Sequence, residues 1–168
     1  MKVSIIYLSL FLAVFTSCSK YENFTGYGDE TESFEGSVNL VSSDKHSTIE
    51  AELFALINEY RASIGLNEME FDPTTFYYTG LHTDYMIEKG VTSHAKFGER
   101  AEKISNRTGA VYVAENVARN YDTVAEALEA WLKSPGHRKN IEGDYNYSAI
   151  SIKPNSNGDL YFTQIFFR

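Results

Sequence analysis

Cysteine is nearly missing from this chain: Cys18 is the one cysteine among 168 residues. No intrachain disulfide can form, so the fold must rest on its core. A chain of this length can bury enough apolar surface for that, and it makes one domain more readily than two. Positive charge is also scarce. Against 23 Asp and Glu stand 15 Lys and Arg, for a net charge of −8 and a pI near 5.0. Phosphate backbones require a basic surface, so nucleic acid is not an expected partner. The chain carries no internal repeat and no Gly-rich phosphate loop. Its longest apolar run is too short for a confident transmembrane span. What it does have is aromatic side chains, 12 Tyr and 11 Phe, which point to a packed globular domain rather than disorder.

The longest apolar run lies at the start. Met1-Lys2 is a short basic opening, Val3–Val14 is almost wholly apolar, and Phe15-Thr16-Ser17 leads into Cys18. A basic start, an apolar stretch and small residues before a cut describe a secretory signal. Small residues directly before a cysteine resemble a bacterial lipobox, which makes Cys18 the lipidated first residue of the mature chain. The bland alternative is an ordinary signal peptide that contains a cysteine. Residues 1–17 are thus expected to be a signal peptide and residues 18–46 a lipidated, flexible tether. The tether is rich in Gly, Ser, Thr and acid and has no period, with one short strand expected at Ser37–Val41. The membrane becomes a partner through the anchor, and the expected location is the envelope, at the outer membrane or cell surface.

Residues 47–168 read as the folded domain. Ser47-Thr48-Ile49-Glu50 fits a capping box, and Ile49, Leu53, Leu56, Ile57, Tyr60 and Ile64 repeat at helical spacing up to Gly65. Leu66–Phe71 is a short extended link. Asp72-Pro73 opens a second helix that stops at Gly90, with His82 expected in its buried face. Val91–Arg107 reads as irregular, with a short helix near Arg100–Ser105. Tyr112–Arg119 alternates as a strand. Asp122 or Thr123 caps a helix whose apolar stripe is Val124, Ala127, Leu128, Trp131 and Leu132. Pro135 ends that helix near Ser134, and Gly136 is expected to reverse the chain so that His137 sits at a helix end. Tyr147–Lys153 and Leu160–Phe167 form a hairpin across Pro154–Asp159.

Several of these segments carry a resemblance. Asn58-Glu59-Tyr60-Arg61, Ser93-His94, Ala114-Glu115-Asn116-Val117-Ala118, Trp131 with Ser134-Pro135-Gly136-His137-Arg138, and Gln164 with Phe166 occur in one order. Together they resemble the CAP (SCP-like) domain of cysteine-rich secretory, antigen-five and pathogenesis-related proteins and of many bacterial secreted proteins. The resemblance spans residues 47–168. It implies an α+β fold, a three-layer α-β-α sandwich around a small antiparallel sheet, in a chain expected to be a monomer. It also implies a cleft holding two histidines and two acids. Residue by residue these are His94, His137 and Glu115. The second acid is missing, because Leu132-Lys133-Ser134 follow Trp131 where it would stand.

Two imidazoles and a carboxylate suit Zn²⁺ or another divalent metal. Glu115 is either a ligand or a group that orients a histidine from behind. The competing reading is a hydrogen-bonded polar cluster that pins three segments together without chemistry. His94, Glu115 and His137 are also the candidate catalytic residues. Ser134, His137 and Glu115 would list as a triad, but no nucleophile elbow surrounds Ser134. Asn116 is expected to bond backbone groups, and Arg138 to be solvated or paired with a carboxylate. The expected function is an envelope-anchored, non-catalytic module that binds a small ligand, lipid, peptide or glycan. The alternatives are a metal-dependent hydrolase acting on envelope or host polymers, and a structural or adhesive surface domain.

Overall fold

A computed structural model describes residues 20–22 and 45–168. The signal peptide, Cys18, most of the tether and the strand expected at Ser37–Val41 lie outside the described residues. The helix starts obey the capping chemistry of the sequence. Helix α1 (Thr48–Ser63) begins where the Ser47 N–H and Oγ both donate to Glu50, at 2.8 and 2.7 Å. It ends before Ile64, which is 47% exposed and so falls off the apolar face expected for it. In α2 (Pro73–Lys89) the Asp72 carboxylate accepts from the Thr75 N–H at 2.6 Å, and Gly90 closes the helix at φ 65°. That left-handed turn favours glycine because a Cβ would crowd the backbone.

Two helical segments differ from expectation. Helix α3 (Phe97–Thr108) is far longer than the short helix foreseen within it. Its apolar positions are few, and its charged residues mask their period. At the other place, Gly136 makes no reversal. Ser134 takes an extended conformation, φ −88° and ψ 116°, which ends α4 (Val124–Lys133) and at once starts α5 (Pro135–Ile141). Pro135 sits in the first turn of α5, where no N–H is needed and its fixed φ suits a helix. His137 therefore belongs to a second helix rather than to a turn.

The strands are β1 (Lys20–Glu22), β2 (Glu70–Phe71), β3 (Tyr112–Arg119), β4 (Tyr147–Pro154) and β5 (Leu160–Phe167). They form one sheet in the order β1-β3-β5-β4-β2. The pairing is antiparallel apart from the two-residue β2, which runs parallel to β4. The β4–β5 hairpin is the one foreseen. Residues of β3, β4 and β5 alternate between two helical layers. Ala114, Ala118, Ile150, Ile152, Phe162 and Phe166 pack with Leu53, Ile57, Leu128 and Trp131 of α1 and α4. Val113, Ile165 and Phe167 pack on the opposite face with Tyr78, Phe97, Ala101 and Ile104 of α2 and α3. Both faces of the sheet are covered, which gives the α-β-α sandwich.

Short edge strands leave backbone groups that side chains must satisfy. Strand β2 covers only Tyr147 and Ser148 of β4. Beyond it, the Ile150 N–H donates to His46 Nε2 at 3.0 Å and the Ile152 N–H to Glu50 Oε1 at 2.9 Å. On the opposite edge β1 covers β3 only from Tyr112 to Ala114. There the Glu115 carbonyl accepts from Asn140 Nδ2 at 3.2 Å and the Val117 carbonyl from Trp131 Nε1 at 3.3 Å. The lone tryptophan thus plugs the core and closes a sheet edge.

Candidate functional site

The candidate residues gather around β3, beyond the stretch that β1 covers. Glu115 points toward the α2–α3 layer and is fully buried. Its Oε2 accepts twice from Arg100, from Nε at 2.9 Å and Nη2 at 2.6 Å. Its Oε1 accepts from His94 Nδ1 at 2.9 Å and lies 3.7 Å from His82 Nε2. Burial alone would raise the Glu115 carboxyl, but the His94 hydrogen bond and the charges of Arg100, His82 and His94 outweigh it and hold it below its usual range. The carboxylate is therefore ionised, and it is fully engaged.

Its partners are positioned by their own elements. Arg100 is almost buried on α3 and also donates through Nη1 to the Ala95 carbonyl at 3.2 Å. His82, on α2, is buried as expected, and its Nε2–H donates to the Ser93 carbonyl at 2.6 Å. That bond ties α2 to the loop bearing His94. Burial pushes the His82 imidazole below its ordinary value, so the ring is neutral at neutral pH. A carboxylate can only accept, so His94 Nδ1 carries the proton. In the neutral ring, Nε2 then keeps a free lone pair, and 27% of this side chain is exposed.

His137 arrives from the other layer. Asn116, next to Glu115 but pointing the opposite way along β3, donates from Nδ2 to the His137 carbonyl at 3.1 Å. The Asn116 Oδ1 in turn accepts from Asn140 at 2.9 Å, so α5 is clamped to β3. The role foreseen for Asn116 is the one observed. The His137 imidazole is pushed down by burial first and by the nearby His94 second. It faces a groove of about 290 Å³ shared with Thr92, Val117, Tyr121, Trp131 and Ser134. Arg138 takes the paired option, with Nε 2.7 Å from Glu142 at the surface.

This arrangement decides among the sequence readings. Glu115 stands behind His94, with His94 on one oxygen and Arg100 on the other. Among the described residues, no group of three or more His, Cys, Asp or Glu is placed to hold a metal ion. Of the two roles expected for Glu115, the hydrogen bond to His94 Nδ1 matches that of a group orienting the ring from behind. The Ser134–His137–Glu115 triad does not form either, since Glu115 pairs with His94. Two members of the network escaped the sequence. Arg100 was placed only on a short helix, with nothing to mark Glu115 as its partner. His82 was read as a core residue, which it is, but its approach to Glu115 has no local sequence signal.

Comparison with known proteins agrees with this architecture. The model of the cysteine-rich secretory protein family, CAP, matches residues 54–166. The uncharacterized membrane protein YlbC of Bacillus subtilis is 29% identical over 73% of this chain and 35% of its own length. The uncharacterized protein YkwD of the same organism is 27% identical over 70% of this chain and 47% of its own. The chain thus spans less than half the length of either curated relative. Among solved structures, an outer surface protein of Borrelia burgdorferi superposes with a TM-score of 0.64 at 20% identity, covering 70% of this chain and 90% of that one. An extracellular SCP-domain protein of Bacillus anthracis gives 0.61 at 25% identity, covering 71% and 40%. With its motifs, its three layers and its family match in agreement, the chain belongs to the CAP, or cysteine-rich secretory protein, family and carries a CAP domain of bacterial type.

Proposed function

We propose that this protein is an exported, envelope-anchored binding module that holds its ligand where His94 and His137 meet at the open edge of β3. The observation that supports this reading most is the orientation of His94. A buried, ionised Glu115 fixes its Nδ1–H and turns the Nε2 lone pair outward. His137, whose imidazole burial holds neutral, adds an acceptor beside a groove walled by Trp131 and Tyr121. Two imidazole rings on fixed backbone suit a ligand that offers N–H or O–H donors, as peptides and glycans do. A divalent ion held by the two imidazoles alone is a second reading. The carboxylate behind His94 favours it, because such backing orients a metal-binding ring. Hydrolysis has less support, since Leu132, Lys133 and Ser134 follow Trp131 where the second acid of the cleft would stand.

The test follows the His94 and His137 ring signals by NMR while the chain is titrated with peptidoglycan fragments, with peptides, with phospholipid vesicles and, separately, with Zn²⁺. One class is expected to shift both rings, and to lose its effect on His94→Ala and His137→Ala. Zn²⁺ binding by the imidazoles weakens in acid, where protons compete for the ring nitrogens. No response of either ring to any probe overturns the reading and leaves the cluster as a structural pin. The names of the membrane and outer-surface relatives support export. Mass spectrometry of the native N-terminus tests the anchor: lipid on Cys18 is expected, and an unmodified or removed Cys18 overturns it.

A further inference from the structure

A second groove lies on the other side of the Glu115 network, between α2 and α3, and shares no lining residue with the one beside His137. It is about 230 Å³ and is lined by Tyr78, Leu81 and Tyr85 of α2 and by Lys96, Glu99, Arg100 and Lys103 of α3 and its cap, with His82 at the back. Its walls are apolar or aromatic. Leu81 is 49% exposed, a large apolar side chain open to water at the rim. Its other side is basic. Lys96, Arg100, Lys103 and Arg107 recur every three or four residues and so share one face of α3. Arg107 stacks on the Tyr78 ring with 5.7 Å to its centroid. Among the described residues, no carboxylate pairs with Lys96 or Lys103. In a chain of net charge −8 this concentration of cations is out of place.

We infer that this groove binds a small monocarboxylate with an apolar body. The charge sets the class. Among the residues that line the groove, the Arg100 charge is answered by Glu115 and Glu99 offsets one of the two lysines, so the lining keeps one positive charge for the ligand, while Arg107 stays outside the lining on the Tyr78 ring. The walls supply the apolar contact, and a volume below the roughly 300–1,000 Å³ of drug-sized sites limits the ligand to a short acyl chain or a single ring. The ammonium groups of Lys96 and Lys103 at the mouth take the carboxylate, while the body lies against Tyr78, Leu81 and Tyr85.

The experiment titrates the full, ¹⁵N-labelled chain with octanoate and with phenylacetate, and in parallel with their uncharged amides, octanamide and phenylacetamide. Saturable shifts are expected at residues 96–103 and in the Tyr85 ring with at least one carboxylate. Octanoate alone marks an acyl ligand and phenylacetate alone an aromatic one. The matching amide is expected to bind more weakly on the order of tenfold or more, and the Lys96→Ala/Lys103→Ala variant to lose affinity to the same extent. Both lysines are exposed, so that variant keeps its fold, which unchanged β4 and β5 signals verify. Absence of any saturable shift with either carboxylate overturns the inference. So does equal binding of acid and amide, or undiminished binding by the double variant.

Discussion

At the scale of single residues the most consequential choice is the burial of a charge. Glu115 has no exposed surface, and a carboxylate there persists because His94 donates to one oxygen and Arg100 spends two N–H donors on the other. Removing one partner of a buried pair strands the other, at a typical cost of about 3–5 kcal/mol. Arg100→Met is therefore expected to lower the denaturation midpoint strongly at neutral pH. Without the guanidinium, burial is opposed by His94 and His82 alone, so the Glu115 carboxyl rises from its depressed position. The deficit should then shrink as the pH is lowered and Glu115 gains a proton. Urea titrations at neutral and mildly acidic pH check both statements, and a deficit that grows in acid would contradict the second. Trp131 allows a similar separation of causes. It is 1% exposed and donates to the Val117 carbonyl. Trp131→Ala should cost about 3–5 kcal/mol, mostly through the cavity. Trp131→Phe keeps most of the volume and orphans one carbonyl, for about 1–3 kcal/mol. Equal midpoints for the two variants would mean that the edge bond, not the packing, carries the effect.

At the scale of elements, much was readable because its causes are local. The Asp72 cap, the Gly90 stop, the Thr123 cap and the β4–β5 hairpin all depend on residues within a few positions of one another. What was not readable depends on distant partners or on masked periods. Glu50 shows both cases at once. Its bonds to Ser47 are the foreseen capping box, but its bond to Ile152 joins residues 102 apart. The candidate cluster divides in the same way. His94, Glu115 and His137 were found through motif order, and Glu115 does adjoin His94. The double hydrogen bond to the other oxygen of Glu115 comes from Arg100, on a helix whose length the charged residues concealed. The α5 helix was missed because a proline after a helix reads equally as a stop or as a new start. Glu50→Ala tests how far α1 and β4 rely on one side chain. It removes acceptors from two backbone N–H groups and a hydroxyl, so a loss of about 2–3 kcal/mol is expected. Hydrogen exchange should show the Ile152 amide opening faster than its neighbours on the β5 side. Uniform acceleration along β4 would instead mean that the whole hairpin loosens.

At the scale of the molecule, the buried histidines make stability depend on pH. His46 is pushed down to about 4, by burial first, with Glu50 opposing. It accepts the Ile150 N–H and sits among Phe54, Phe71 and Phe76, with ring centroids 5.0, 4.5 and 5.3 Å away. His82 and His137 are lowered for the same leading reason. A histidine in the unfolded chain takes a proton near about 6.5. From there downward the unfolded chain binds protons that the folded one refuses, so stability falls as the pH drops. The His46 share of that fall is complete near its folded value of about 4. Glu115, held below its usual range, adds a further loss as the pH falls below about 4.3. A contrary effect exists. The net charge shrinks toward the pI near 5.0, which relieves self-repulsion. That repulsion is spread over the surface and is screened within about 8 Å at physiological salt, whereas His82 is buried and His46 and His137 are half-buried. The thermal midpoint is thus expected to be highest above pH 7 and to fall steadily between pH 6.5 and 4. His46→Gln, whose side chain does not titrate, should flatten part of that slope while lowering the plateau. A wild-type midpoint that peaks near pH 5 would show that surface repulsion outweighs the buried imidazoles.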